Sequence, residues 1–120
     1  MSRVLVVEDN GALRFALKVM LEYEPNVERI ETVASGEHAL SIAPELKPDV
    51  VVTDSGLPGL SGEEVAGRLR EMCPGARIIS FSGSDNAAPW ADEKITKAGA
   101  NSIEDLRAAV NRGGHLGRTA

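Results

Sequence analysis

Four apolar runs in this chain each release a polar side chain at their C-terminal end. Val4-Leu5-Val6-Val7 is followed by Glu8 and Asp9; Val50-Val51-Val52 leads through Thr53 to Asp54; "RIISF" runs into Ser82 and Gly83; and the short "KITK" closes on Lys97. Brought to one rim, these residues would supply three acids, a hydroxyl and an amine. Three carboxylates in a partly dry site repel one another, and a hard divalent cation relieves that repulsion. Magnesium suits such an all-oxygen set, because it accepts one or two carboxylates directly and keeps its waters; Asp9 and Asp54 are then the direct ligands and Glu8 acts through water. The absence of paired Cys and His argues against zinc. A lysine and a hydroxyl opposite the acids would hold an anion that also touches the metal, and a phosphoryl group is the natural candidate. Carboxylates do serve as phosphoryl acceptors.

Such a rim requires strands that all end on one side. The chain alternates accordingly: strands at 3–7, 27–33, 49–53, 77–81 and 94–97 are separated by segments of helical period. The first helix carries Leu13, Ala16, Leu17, Met20 and Leu21 on one face. Ser35 caps the second, which Pro44 shortens or kinks. Ser61 and Glu64 form a capping-box pattern before Val65, Leu69 and Met72. Ser102 with Asp105 is expected to cap the last helix, which carries Ile103, Leu106, Ala109 and Val110. Alternation through short loops requires right-handed crossovers and predicts a doubly wound α/β fold with a parallel sheet. Ligands in such folds bind at the carboxyl ends of the strands. The stretch "SGSDNAAPWADE" between the fourth and fifth strands lacks a helical face and contains Pro89, so at most one helical turn is expected there.

Length and composition bound the remaining possibilities. The 120 residues, 42% hydrophobic, suit one domain, expected over 1–112 with a flexible tail at 113–120. The net charge of −5, with thirteen scattered Lys and Arg, speaks against direct nucleic-acid binding. No apolar run is long enough for a membrane span, and the single cysteine, Cys73, cannot form an internal disulfide; a cytoplasmic location is expected. Cys73 reads as a small residue at a helix end, and His38 as part of a solvated helix face.

Taken in order, "VLVVEDN", "DVVVTDSGLPGLSG", "FSG" and "ADEKITK" resemble the receiver domain of two-component response regulators, the CheY-like superfamily, over residues 3 to 111. The resemblance implies a five-stranded sheet of order 2-1-3-4-5. It also implies that Asp54 is the phospho-acceptor, that Glu8, Asp9 and the backbone carbonyl of Gly56 help hold magnesium, that Ser82 is the switch hydroxyl, and that Lys97 pairs with the phosphoryl group. The implied partner is a sensor histidine kinase or a histidine phosphotransfer protein, with a further protein as the downstream target. The implied activity is that of a stand-alone switch with self-directed phosphoryl transfer and autodephosphorylation, not a metabolic enzyme.

Three departures from the family pattern carry expectations of their own. Ala98 follows the lysine where the family has a proline that is commonly cis, so the loop is either trans or strained. Lys94 stands where many receivers carry a switch aromatic, and Trp90 either substitutes for it or covers the core. The fourth helix is short or missing, and residues 83–93, including Gly83 and Ser84, are expected to form a lid-like segment. Two other readings stay open. An aspartyl-phosphate phosphatase would need a second acid where Gly56 stands. A pseudo-receiver would keep the fold and bind partners without phosphorylation.

Overall fold

The computed structural model describes residues 2–83 and 89–112. The expectations placed on Ser84 and on 113–120 lie outside these residues. Nine elements follow one another: β1 (Ser2–Val7), α1 (Gly11–Leu21), β2 (Val27–Val33), α2 (Gly36–Leu46), β3 (Val50–Thr53), α3 (Gly62–Met72), β4 (Arg77–Ser82), β5 (Glu93–Thr96) and α4 (Ser102–Asn111). The strands form one sheet in the order β2-β1-β3-β4-β5, parallel at every pairing.

The continuous apolar runs of β1 and β3 are explained by their central positions, where both faces of the sheet are covered. Alternate residues divide between the two layers. Leu5, Val7, Val51 and Ile78 pack with Ala39, Ala43, Val65 and Leu69 of α2 and α3. Val4, Val6, Val50, Val52, Ile79 and Phe81 pack with Leu17, Leu21, Leu106 and Val110 of α1 and α4 on the other face. Helices α2 and α3 approach so closely that a Cβ on Gly36 would lie 2.4 Å from Val65 Cγ2, and only glycine fits there.

Helix starts follow local chemistry. Asn10 accepts from the Leu13 N–H, Ser35 accepts from the His38 N–H, and the capping box of Ser61 and Glu64 is complete. α2 carries Pro44 in its last turn and stops at Leu46, with Lys47 left-handed at φ 52°. The expected Ser102–Asp105 cap does not form. The chain already turns at Gly99, whose carbonyl accepts from the Ser102 N–H, so Ser102 is the first helical residue and Asn101 precedes it without a side-chain cap bond. Two expected core positions also differ: Ala16 and Met72 lie on the solvent side of their helices. Cys73 ends α3, and burial, with Asp49 nearby, pushes its thiol pKa up.

The described residues contain four helices, and none lies between β4 and β5. Gly83 and 89–92 there are bends and turns. Asp92 pairs with Ile78 through both its backbone and its carboxylate, and Arg70 donates to the Trp90 carbonyl at 2.7 Å. Trp90 itself packs against the α2–α3 core layer. No helix among the described residues is long and apolar enough to cross a membrane.

Candidate functional site

All strands of a parallel sheet end on one side, so the polar residues at their exits meet there. Glu8, Asp9 and Asp54 each place a carboxylate oxygen within 4.8 Å of the others. The three differ in exposure: Glu8 is only 2% exposed, Asp54 half-buried and Asp9 open to solvent. Lys97, the first residue after β5, reaches across the rim. Its Nζ lies 2.6 Å from Asp54 Oδ2 and 2.8 Å from Glu8 Oε1.

The two carboxylates that meet Lys97 are also held by other groups. Glu8 Oε2 accepts from the Asn10 N–H at 3.1 Å, and Arg14 donates to the Glu8 carbonyl at 2.9 Å. Asp54 Oδ1 accepts from the Gly56 N–H at 2.9 Å. Burial works against the Lys97 ammonium and is the largest single influence on it, but hydrogen bonds and charge attraction from Asp54 and Glu8 together outweigh it. Its pKa is therefore held above the ordinary lysine value. Lys97 stays charged and neutralises part of the acidic cluster. It also lies 5.8 Å from the centroid of the Phe81 ring, which floors its path.

The donor set fits a hard divalent cation: three carboxylates gather within reach of one another, one is exposed enough to exchange water, and neither thiol nor imidazole is among them. Gly56 lies in the same loop, with its N–H turned to Asp54. Ser82 ends β4 at this rim, and its Oγ lies 2.8 Å from the Oγ of Ser55. Trp90 stands over the start of α3, where a Cβ on Gly62 would come within 3.1 Å of its ring. Lys94 is exposed on β5. Among the described residues no peptide bond is cis, so the trans alternative for Lys97-Ala98 holds, and the lysine reaches both acids from it.

Sequence reasoning missed the residues that support the site. Asn10 and Arg14 clamp Glu8, and Ser55 engages Ser82. The capping asparagine was open to detection, since Asn before a helical run is a known start signal. Ser55 had no local signal, because only the pairing of β3 with β4 brings it opposite Ser82.

Residues 4–103 match the family of the response regulator receiver domain. The nitrate/nitrite response regulator protein NarL of Escherichia coli (strain K12) is 30% identical over 83 residues, covering 69% of this chain and 38% of NarL. The transcriptional regulatory protein AfsQ1 of Streptomyces coelicolor is 32% identical over 121 residues, covering 94% of this chain and 53% of AfsQ1. The chain thus spans about two fifths to one half of the length of these curated relatives. Among solved structures, the response regulator protein TrrA of Thermotoga maritima, crystallised with Mg(2+)-BeF, superimposes with a TM-score of 0.76 at 32% identity, covering 92% of this chain and 98% of TrrA.

Proposed function

This chain belongs to the response regulator receiver family, and from that premise we propose that Asp54 accepts a phosphoryl group from a phosphohistidine on a sensor kinase or phosphotransfer protein. The observation that supports this most directly is the Asp54 carboxylate held between the Gly56 N–H and the Lys97 ammonium at the mouth of the acidic cluster. In the transfer, the bond from an Asp54 oxygen to phosphorus forms as the donor's imidazole nitrogen–phosphorus bond breaks. Later attack of water on phosphorus returns the carboxylate and inorganic phosphate. Lys97 supplies positive charge to the phosphoryl oxygens, and the rigid exit of β3 fixes the nucleophile in line. Glu8, Asp9, Asp54 and the Gly56 carbonyl would hold magnesium, which when bound adds positive charge against the phosphoryl oxygens. The protein acts on itself and signals through protein contacts in the cytoplasm, without direct nucleic-acid binding.

The test is a titration of magnesium and beryllofluoride, a mimic of the acyl phosphate, followed by calorimetry and by Trp90 fluorescence. Binding is expected to need both magnesium and Asp54, so that Asp54→Asn loses it. Retention of binding in Asp54→Asn would exclude this acceptor, and no binding to the unaltered protein would favour the pseudo-receiver.

Exposed apolar residues of α1 support a docking surface for the partner there. Phe15 is 69% exposed and Val19 lies one turn further along α1, with Tyr23, 80% exposed, just past the helix end. Exposed apolar side chains clustered in this way are candidates for a contact surface, and α1 departs from the rim immediately after Asp9 and Asn10. Replacing Phe15 and Tyr23 together by serine is expected to slow kinase-driven labelling at least tenfold. Labelling by a small acyl phosphate should stay unchanged. Equal loss with both donors would place the fault in the acceptor site instead.

A further inference from the structure

We propose that Ser55 is a positioning residue that engages the Ser82 hydroxyl in the unphosphorylated protein and so sets the threshold at which the switch responds. The inference rests on the reading of Asp54 as acceptor and of Ser82 as the hydroxyl that meets the phosphoryl group. Its own ground is the hydroxyl pair: Ser55 Oγ and Ser82 Oγ are 2.8 Å apart, a normal hydroxyl–hydroxyl hydrogen bond.

The backbone explains why they meet. Thr53 of β3 pairs with Ser80 of β4 at the end of that ladder, and the bend at Ser55 just beyond it brings Ser55 beside Ser82, the last residue of β4. Ser82 is 4% exposed, so its hydroxyl bonds within the protein rather than to bulk water. The Ser55 main chain is held in place, because its carbonyl accepts from the Gly62 N–H at 3.5 Å where α3 begins, and the adjoining Asp54 N–H donates to the Val7 carbonyl.

A serine hydroxyl carries one proton. If Ser82 donates it to Ser55, it cannot donate it to a phosphoryl oxygen on Asp54. If Ser55 were the donor, Ser82 would keep its own proton for the phosphoryl group and no competition would arise, so the competition requires Ser82 as the donor to Ser55. With Ser82 as donor, turning its proton to the phosphoryl group gives up the bond to Ser55, so phosphorylation competes with this contact. The net worth of one neutral hydrogen bond corresponds to roughly a threefold to tenfold change in an equilibrium.

The experiment measures beryllofluoride affinity by calorimetry, at saturating magnesium, in the unaltered protein and in Ser55→Ala, Ser55→Thr, Ser82→Ala and the double variant Ser55→Ala/Ser82→Ala. Ser55→Ala is expected to bind about fivefold more tightly, and Ser55→Thr, which keeps the hydroxyl, like the unaltered protein. In the Ser82→Ala background, Ser55→Ala should change nothing, a dependence that a merely structural role would not produce. Magnesium affinity in Ser55→Ala should stay the same, which shows that the site is folded. Equal or weaker beryllofluoride binding by Ser55→Ala, with the unaltered protein binding normally, overturns this role of Ser55 alone. Failure of the unaltered protein to bind beryllofluoride overturns the acceptor reading, and the competition with it.

Discussion

Lys97→Met is expected to lower the unfolding free energy by about 2–3 kcal/mol in metal-free buffer at neutral pH, and magnesium should restore much of the loss. The reason is the position of the ammonium, shared between Glu8 at 2.8 Å and Asp54 at 2.6 Å. Removing one partner of a buried charge pair leaves an uncompensated carboxylate, and Glu8 is almost wholly buried. The figure stands below the usual range for buried pairs because Lys97 keeps partial contact with water. Magnesium would take over the neutralisation, so the variant should also bind the ion more tightly, since nothing competes for the carboxylates. Labelling from a small acyl phosphate should fall about a hundredfold even with magnesium present, because a preorganised cation at the phosphoryl oxygens is lost.

Urea unfolding with and without magnesium checks the stability claim. An equal loss under both conditions would mean that Lys97 contributes packing rather than charge. The pH dependence has a definite sign. The folded-state pKa of Lys97 is raised, so its contribution is fully present below the ordinary lysine value of 10.5 and is lost as pH rises through the higher folded value. The stability gap between the unaltered protein and Lys97→Met should therefore stay flat from neutral pH to about 10 and close above it.

Gly62→Ala is the second large effect. A Cβ at Gly62 would lie 2.5 Å from the Asp54 carbonyl oxygen and 2.9 Å from Ser55 Cα, with the Trp90 ring 3.1 Å away. Two of these three neighbours are backbone of the acceptor loop and cannot swing aside. The variant is expected to lose about 2–3 kcal/mol of stability, and its beryllofluoride affinity should fall at least tenfold because the loop that aims Asp54 must shift. Gly67→Ala is the control within the same helix. Nothing lies within 4 Å of a Cβ there, so that variant should gain about 0.5–1 kcal/mol from helix propensity alone. Urea midpoints of the two variants are the measurement. A Gly62→Ala protein as stable as the unaltered one, with full beryllofluoride affinity, would show that the loop yields without cost.

Much of the architecture was readable along the chain because it rests on local signals. Val4–Val7 and Val50–Val52 are apolar on both faces, which only a covered parallel strand requires, and Ser35 and Ser61 announce their helices through side-chain caps that do form. The acids at strand exits followed from the same logic, since parallel strands must end on one side. The Ser102 cap failed for a reason equally local: the turn at Gly99 brings the chain into helix one residue earlier than the Ser-x-x-Asp pattern implies.

The sequence by itself determined the order of the elements, most of the residues on the faces they bury, and the delivery of Glu8, Asp9, Asp54, Ser82 and Lys97 to one rim, because hydrophobic period and turn chemistry act over a few residues. What the tertiary structure alone decided are contacts between segments far apart in the chain. Lys97 divides itself between Glu8 and Asp54, Ser55 meets Ser82, and Trp90 lies over Gly62. Arg77, which opens β4 as an ordinary charged residue, is buried there with its guanidinium donating to the Ala109 carbonyl of α4 and facing Glu93 of β5. None of these has a local signature, since each depends on interstrand register and on how a helix crosses the sheet, and both are settled only when the whole core packs.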